Sequence, residues 1–120
     1  MLIVEDHAET RELYAWCLRA SGWVVEEATN GDEAVLLARA FEPDAIVMDL
    51  HLPVLDGFEA IRHLRRVEGA VHVPIVACTG VDPFGAESRA REAGCDEFVS
   101  KPCEPEKLRD VLKRLLACAP

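Results

Sequence analysis

The sequence predicts an α/β fold, a doubly wound (βα)5 sandwich of three layers built on a parallel sheet. Three observations carry this reading. Short apolar runs alternate with helical patterns five times along 120 residues. The connections are too short to hold further elements, so successive strands run parallel with a helix between each pair. Crossovers of that kind are right-handed, which places helices on both faces of the sheet.

Each element has its own signal. Leu2-Ile3-Val4 is the first strand and runs into Glu5-Asp6. Residues 8–21 space Leu13, Trp16, Cys17 and Ala20 at i, i+3, i+4 and i+7, predicting a helix buried along that stripe and ended near Ser21-Gly22. Trp23-Val24-Val25 reads as the second strand. It passes into Glu26-Glu27-Ala28 and closes at Thr29-Asn30-Gly31. Ala34, Leu37, Ala38 and Phe41 mark a second helix over 32–41, stopped by Glu42-Pro43. The third strand, 45–48, carries Asp49 at its exit. Pro53 and Asp56-Gly57 form a loop before a third helix on Phe58, Ile61 and Leu64, which fades at Glu68-Gly69. Pro74 opens a fourth strand over 75–78. Segment 84–93 is the weakest helix, with Ala86, Ala90 and Ala93 as its apolar face. Cys95 to Val99 is a short fifth strand, and 105–117 is an amphipathic helix through Leu108, Val111, Leu112, Leu115 and Leu116.

Composition narrows the function classes. Thirteen basic against 22 acidic residues give a net charge of −9. Such a chain is not expected to bind nucleic acid or an anionic membrane through its own surface. No apolar stretch approaches the ~20 residues that span a bilayer, and Glu5-Asp6 interrupt any leader pattern. The five cysteines form no C-x-x-C pair and are odd in number. They read as reduced core-filling residues of a cytoplasmic protein, not as a disulfide scaffold or a zinc site.

The chemistry sits at the strand exits. In doubly wound sheets ligands bind outside the carboxyl ends of the strands. There the chain places Glu5, Asp6 and Asp49, then Thr79 after Ile75-Val76-Ala77-Cys78, then Lys101 after Phe98-Val99-Ser100. A carboxylate at a buried strand end is costly unless its charge is used. Three carboxylates together repel unless protons or a divalent ion neutralise them. Magnesium suits the set, because it takes one or two carboxylates, keeps waters and leaves room for phosphate oxygens. Lys101 and Thr79 supply donors for phosphoryl oxygens, and Asp49 is placed as a nucleophile toward phosphorus. No glycine-rich loop follows the first strand, so a dinucleotide or P-loop site is not expected.

Glu5-Asp6, Asp49-Leu50-His51-Leu52-Pro53 with Asp56-Gly57, Thr79-Gly80 and Phe98-Val99-Ser100-Lys101-Pro102 stand in the order and spacing of one family's motifs. Across essentially all 120 residues the chain resembles a receiver domain of the two-component response regulators. The resemblance implies a flavodoxin-like sheet of order 2-1-3-4-5, with the second strand at the outer edge. It implies that Asp49 accepts a phosphoryl group from a phosphohistidine on a sensor histidine kinase or phosphotransfer protein. It further implies that Glu5, Asp6, Asp49 and the backbone carbonyl of His51 hold Mg2+, and that Thr79 and Lys101 grip the phosphoryl group. Phe98 stands where the family carries an aromatic switch coupled to the surface of helix four, strand five and helix five, where a downstream effector protein or domain binds. The Lys101-Pro102 bond is expected to be cis. Residues 1–120 are expected to be one domain, stand-alone or part of a longer regulator or hybrid kinase. It would be a monomer or a weak phosphorylation-dependent dimer, and not an enzyme beyond its own phosphotransfer and slow dephosphorylation.

Other readings meet specific obstacles. A haloacid-dehalogenase-like phosphatase needs a second acid two residues after the nucleophile, where His51 stands. A flavodoxin-like binding module lacks its phosphate loop here. A degenerate receiver acting as a phosphorylation-independent interaction domain would not need the complete acidic, threonine and lysine set.

Overall fold

The computed structural model describes residues 1–52, 56–67, 70–80 and 85–117. Strands β1 (Leu2–Val4), β2 (Glu26–Ala28), β3 (Ile46–Asp49), β4 (Ile75–Thr79) and β5 (Glu97–Ser100) form one sheet of order β2-β1-β3-β4-β5. Every pairing is parallel. Helices α1 (Ala8–Ala20), α2 (Gly31–Phe41), α3 (Gly57–Leu64), α4 (Ala86–Ala93) and α5 (Pro105–Ala117) connect and follow the strands. This is the doubly wound fold expected from the sequence, with β2 at the outer edge. Pro53, the Glu68-Gly69 helix end, position 84 and Cys118 lie outside the described residues.

Alternation along the strands builds two cores. Leu2, Val4, Ile46, Met48, Ile75 and Ala77 face one layer, with Ala34, Ala38, Phe58, Ile61, Leu64, Ala90 and Ala93 of α2, α3 and α4. Ile3, Val47, Val76, Cys78 and Val99 face the other, with Tyr14, Ala15, Leu18, Leu108 and Leu112 of α1 and α5. Strands buried on both faces read as continuous apolar runs, which is why β1, β3 and β4 were plain in the sequence. Caps set the helix starts. Asn30 Oδ1 accepts from the Glu33 amide at 2.8 Å, and Asp56 Oδ1 accepts from the Glu59 amide at 2.9 Å.

Three expectations shift. Of the stripe predicted to be buried on α1 only Cys17 is: Leu13 is 51% and Trp16 70% exposed, and Ala20 is exposed as well. Beside Cys17 the inward residues are Tyr14, Ala15 and Leu18, with Arg11 half-buried, which is the same i, i+3, i+4, i+7 spacing begun two residues earlier. Ala15 lets the helix lie close to the sheet, and Tyr14 can satisfy its hydroxyl there, as a buried aromatic with a polar tip requires. The second strand is Glu26–Ala28, not Trp23-Val24-Val25. Its ladder with β1 is made by backbone, so an edge strand tolerates two glutamates while Val24 stays 71% exposed. The fifth strand begins at Glu97, because Asp96 first turns its carboxylate back to the Ile75 amide at 2.8 Å.

Cys17, Cys78, Cys95 and Cys103 are free thiols. Burial pushes Cys78 up from an ordinary 9.0 to about 12, with Lys101 opposing and Cys103, Asp49 and Glu5 adding. Cys95 and Cys103 move the same way, chiefly through burial. Unfolded thiols lose their protons near 9.0, whereas the folded chain keeps them, so stability falls as pH rises from there toward about 12. Denaturation midpoints are expected to drop steadily across that window, with a shallower slope in Cys78→Ala. A flat profile would contradict the burial argument.

Candidate functional site

The sheet's carboxyl edge is where the chain reverses direction, leaving β1 for β2 on one side and returning to β3 on the other. Glu5 follows β1 directly. Its amide donates to the Ala28 carbonyl at 3.0 Å, extending the strand pairing by one residue. Asp49 is the last residue of β3, paired in register with Cys78 of β4. Thr79 ends β4 opposite Ser100, and its carbonyl accepts from the Lys101 amide at 2.8 Å. Strand register alone therefore brings these side chains to one edge.

Glu5, Asp49 and Thr79 are 3%, 6% and 3% exposed, while Asp6 is open to solvent. One carboxylate oxygen from each of Glu5, Asp6 and Asp49 lies within 4.8 Å of the others. Lys101 Nζ donates to Glu5 Oε1 and stands 3.4 Å from Asp49 Oδ2. The other Asp49 oxygen, Oδ1, accepts from the His51 amide at 3.0 Å, and the His7 amide donates to Glu5 Oε2 at 3.3 Å. The His51 side chain is exposed. Phe98 lies outside the carboxylate cluster, half-buried in β5 beside Ala77 and packed on the core of the α2, α3 and α4 layer. The Lys101-Pro102 peptide is cis, as expected.

Burial raises the Glu5 carboxyl above its ordinary 4.5, and Asp49 adds to this while Lys101 opposes it. For Lys101, burial alone would lower the ammonium, but the Glu5 hydrogen bond and the Asp49 charge outweigh it and the net shift is upward. Three carboxylates face one lysine, so the pocket carries more negative charge than it neutralises. The donors are all oxygens, which suits a hard divalent cation such as magnesium.

Two residues at this edge were not legible as site residues. Arg11 Nη1 donates to the Glu5 carbonyl at 3.1 Å, and its Nε pairs with Glu27 at 3.2 Å. The Tyr14 hydroxyl donates to the Cys103 carbonyl at 3.0 Å, beyond Lys101 in the chain. Both lie on the inward stripe of α1, and only the correct helical phase would have singled them out.

Comparison with known proteins identifies the family and the fold. The family model for the response regulator receiver domain matches residues 1–113. The polar-differentiation response regulator DivK of Brucella anthropi is 34% identical over 119 residues, 99% of this chain and 97% of DivK. The receiver domain of the sensor histidine kinase PA1611 from Pseudomonas aeruginosa PAO1, solved with a magnesium ion coordinated in its active-site cleft, superposes with a TM-score of 0.88. It is 34% identical and the match covers 97% of this chain and 95% of that one. The chemotaxis protein CheY4 of Vibrio cholerae gives a TM-score of 0.89 at 29% identity, over 94% of each chain. On the family match, the relatives and the fold they share, the chain belongs to the response regulator receiver domain family of two-component signalling.

Proposed function

We propose that this chain, folded as one domain, is a phosphorylation-dependent signalling switch that takes a phosphoryl group on Asp49. The observation that carries the reading is the cluster of Glu5, Asp6 and Asp49 carboxylates within 4.8 Å, with Lys101 set against two of them. The donor is a phosphohistidine on a sensor histidine kinase or phosphotransfer protein. An Asp49 carboxylate oxygen attacks phosphorus, a P–O bond forms, the P–N bond breaks, and the imidazole leaves with the electron pair. The His51 amide holds Asp49 in place through Oδ1. Lys101 and the Thr79 hydroxyl donate to the phosphoryl oxygens, where charge must be stabilised. Glu5, Asp6, Asp49 and the main-chain carbonyl of His51 would hold magnesium, which would neutralise the phosphoryl charge when bound.

The output is binding, not turnover. Glu97 links the proposed output face, pairing with Arg91 of α4 at 3.4 Å and Arg114 of α5 at 2.7 Å. Phe98 follows it in the chain, so a change of its rotamer would be felt by all three elements. Phosphorylation would redistribute two conformations of that face and change its affinity for a downstream effector. Free thiols at Cys17, Cys78, Cys95 and Cys103 suit a reducing cytoplasm.

Incubation with acetyl phosphate and magnesium is expected to give an acid-stable, base-labile phosphoprotein, and Asp49→Asn to give none. No label on the native chain, or equal label on the variant, overturns the reading. The exposed His51 side chain, two residues after Asp49, would flank the path of attacking water. His51→Asn is therefore expected to change the rate of label loss severalfold, and an unchanged rate would remove that role.

A further inference from the structure

We propose that Tyr14 is a positioning residue for Lys101, a role that rests on the reading of Asp49 as phosphoacceptor. Lys101 is fixed on its N-terminal side by β5, whose pairing with β4 ends where the Lys101 amide meets the Thr79 carbonyl at 2.8 Å. On the C-terminal side no strand pairing continues. Pro102 has no N–H to donate, and α5 starts only at Pro105. The anchor there is the Tyr14 hydroxyl, which donates to the Cys103 carbonyl at 3.0 Å in a buried bond between residues 89 apart in sequence.

The Tyr14 side chain is suited to this. It is 4% exposed and packs with Ile3, Cys78, Val99 and Cys103 in the core between the sheet, α1 and α5. Tyr14, Lys101, Pro102 and Cys103 line one shallow groove together with Thr10, Leu13 and Gly80. Without the hydroxyl, the Cys103 carbonyl loses its buried donor, which costs more than the bond itself gained. The segment carrying Lys101 then settles elsewhere, and Nζ loses its aim at Glu5 and Asp49. Tyr14 touches no reacting atom; it acts through the lysine.

Tyr14→Phe keeps the ring and removes only the hydroxyl. Labelling of Asp49 from acetyl phosphate is expected to slow by up to about 100-fold, the scale on which a misplacement of about 1 Å costs rate. In a Lys101→Met background the same substitution is expected to have no further effect on labelling. A chemical-denaturation cycle over Tyr14→Phe and Lys101→Met gives a second readout that needs no phosphorylation, since residues acting through one another are non-additive. Normal labelling of Tyr14→Phe, or effects that simply multiply, overturns the proposal. If the native chain takes no label, the phosphoacceptor reading falls, and the denaturation cycle still decides the positioning claim: coupling supports it and additivity overturns it.

Discussion

Lys101→Ala is expected to slow phosphorylation of Asp49 by small phosphodonors on the order of 100-fold, the usual cost of removing one preorganised charge-stabilising donor. The lysine is the single cation set against the Glu5 and Asp49 carboxylates among the described residues. Its loss also leaves two nearly buried anions facing each other. The pair is only part-buried, so the cost stays below the roughly 3 kcal/mol of breaking a fully buried pair, but the magnesium-free variant should still unfold at lower denaturant. The pH dependence has a definite sign. Glu5 titrates above its ordinary 4.5 because of burial and then Asp49. Its contribution to stability is therefore full below that value and is lost as pH rises through the raised one. Without Lys101 this loss deepens. The stability gap between native chain and variant should be wider at neutral than at acidic pH, and saturating magnesium should narrow it. A gap independent of pH would show that the lysine is an ordinary surface cation.

Gly57→Ala is expected to destabilise the chain by about 3 kcal/mol, at the upper end for overpacking because the obstacle is main chain that cannot turn aside. A Cβ at Gly57 would stand 2.5 Å from the Asp49 carbonyl oxygen and collide with Leu50 Cα. The first turn of α3 passes this close because the Gly57 amide donates to the Leu50 carbonyl at 3.2 Å. The position needs no left-handed backbone; it needs the absence of a side chain. Relief of the clash must shift Leu50 and Asp49, so labelling should slow along with the loss of stability. A stable Gly57→Ala protein with normal labelling would contradict the packing described around β3.

Most of the site was legible because its residues follow apolar runs, and a run buried on both faces announces where its strand ends. Asp49 and Thr79 each close such a run, Lys101 follows the half-buried β5, and parallel register carries all three to one edge. The α1 face was misread because two stripes with the same periodicity run side by side in 8–21. Trp16 is the more hydrophobic choice by eye, yet Tyr14 has a partner for its hydroxyl and Trp16 stays in solvent. That partner, the Cys103 carbonyl, is 89 residues away, so no local pattern contains it. The second strand was displaced for a related reason: Trp23-Val24-Val25 has the β-propensity, but the backbone of β1 is met by Glu26, Glu27 and Ala28.

The central claim is that Asp49 carries the phosphoryl group, and site localisation tests it most directly. The chain is phosphorylated with acetyl phosphate and magnesium, then treated with borohydride, which reduces an aspartyl phosphate to homoserine. Peptide mapping by mass spectrometry is expected to find homoserine at position 49 and no other acidic residue converted. Conversion at Asp6 or Glu5 with Asp49 untouched, or a phosphate retained on His51, would contradict the account.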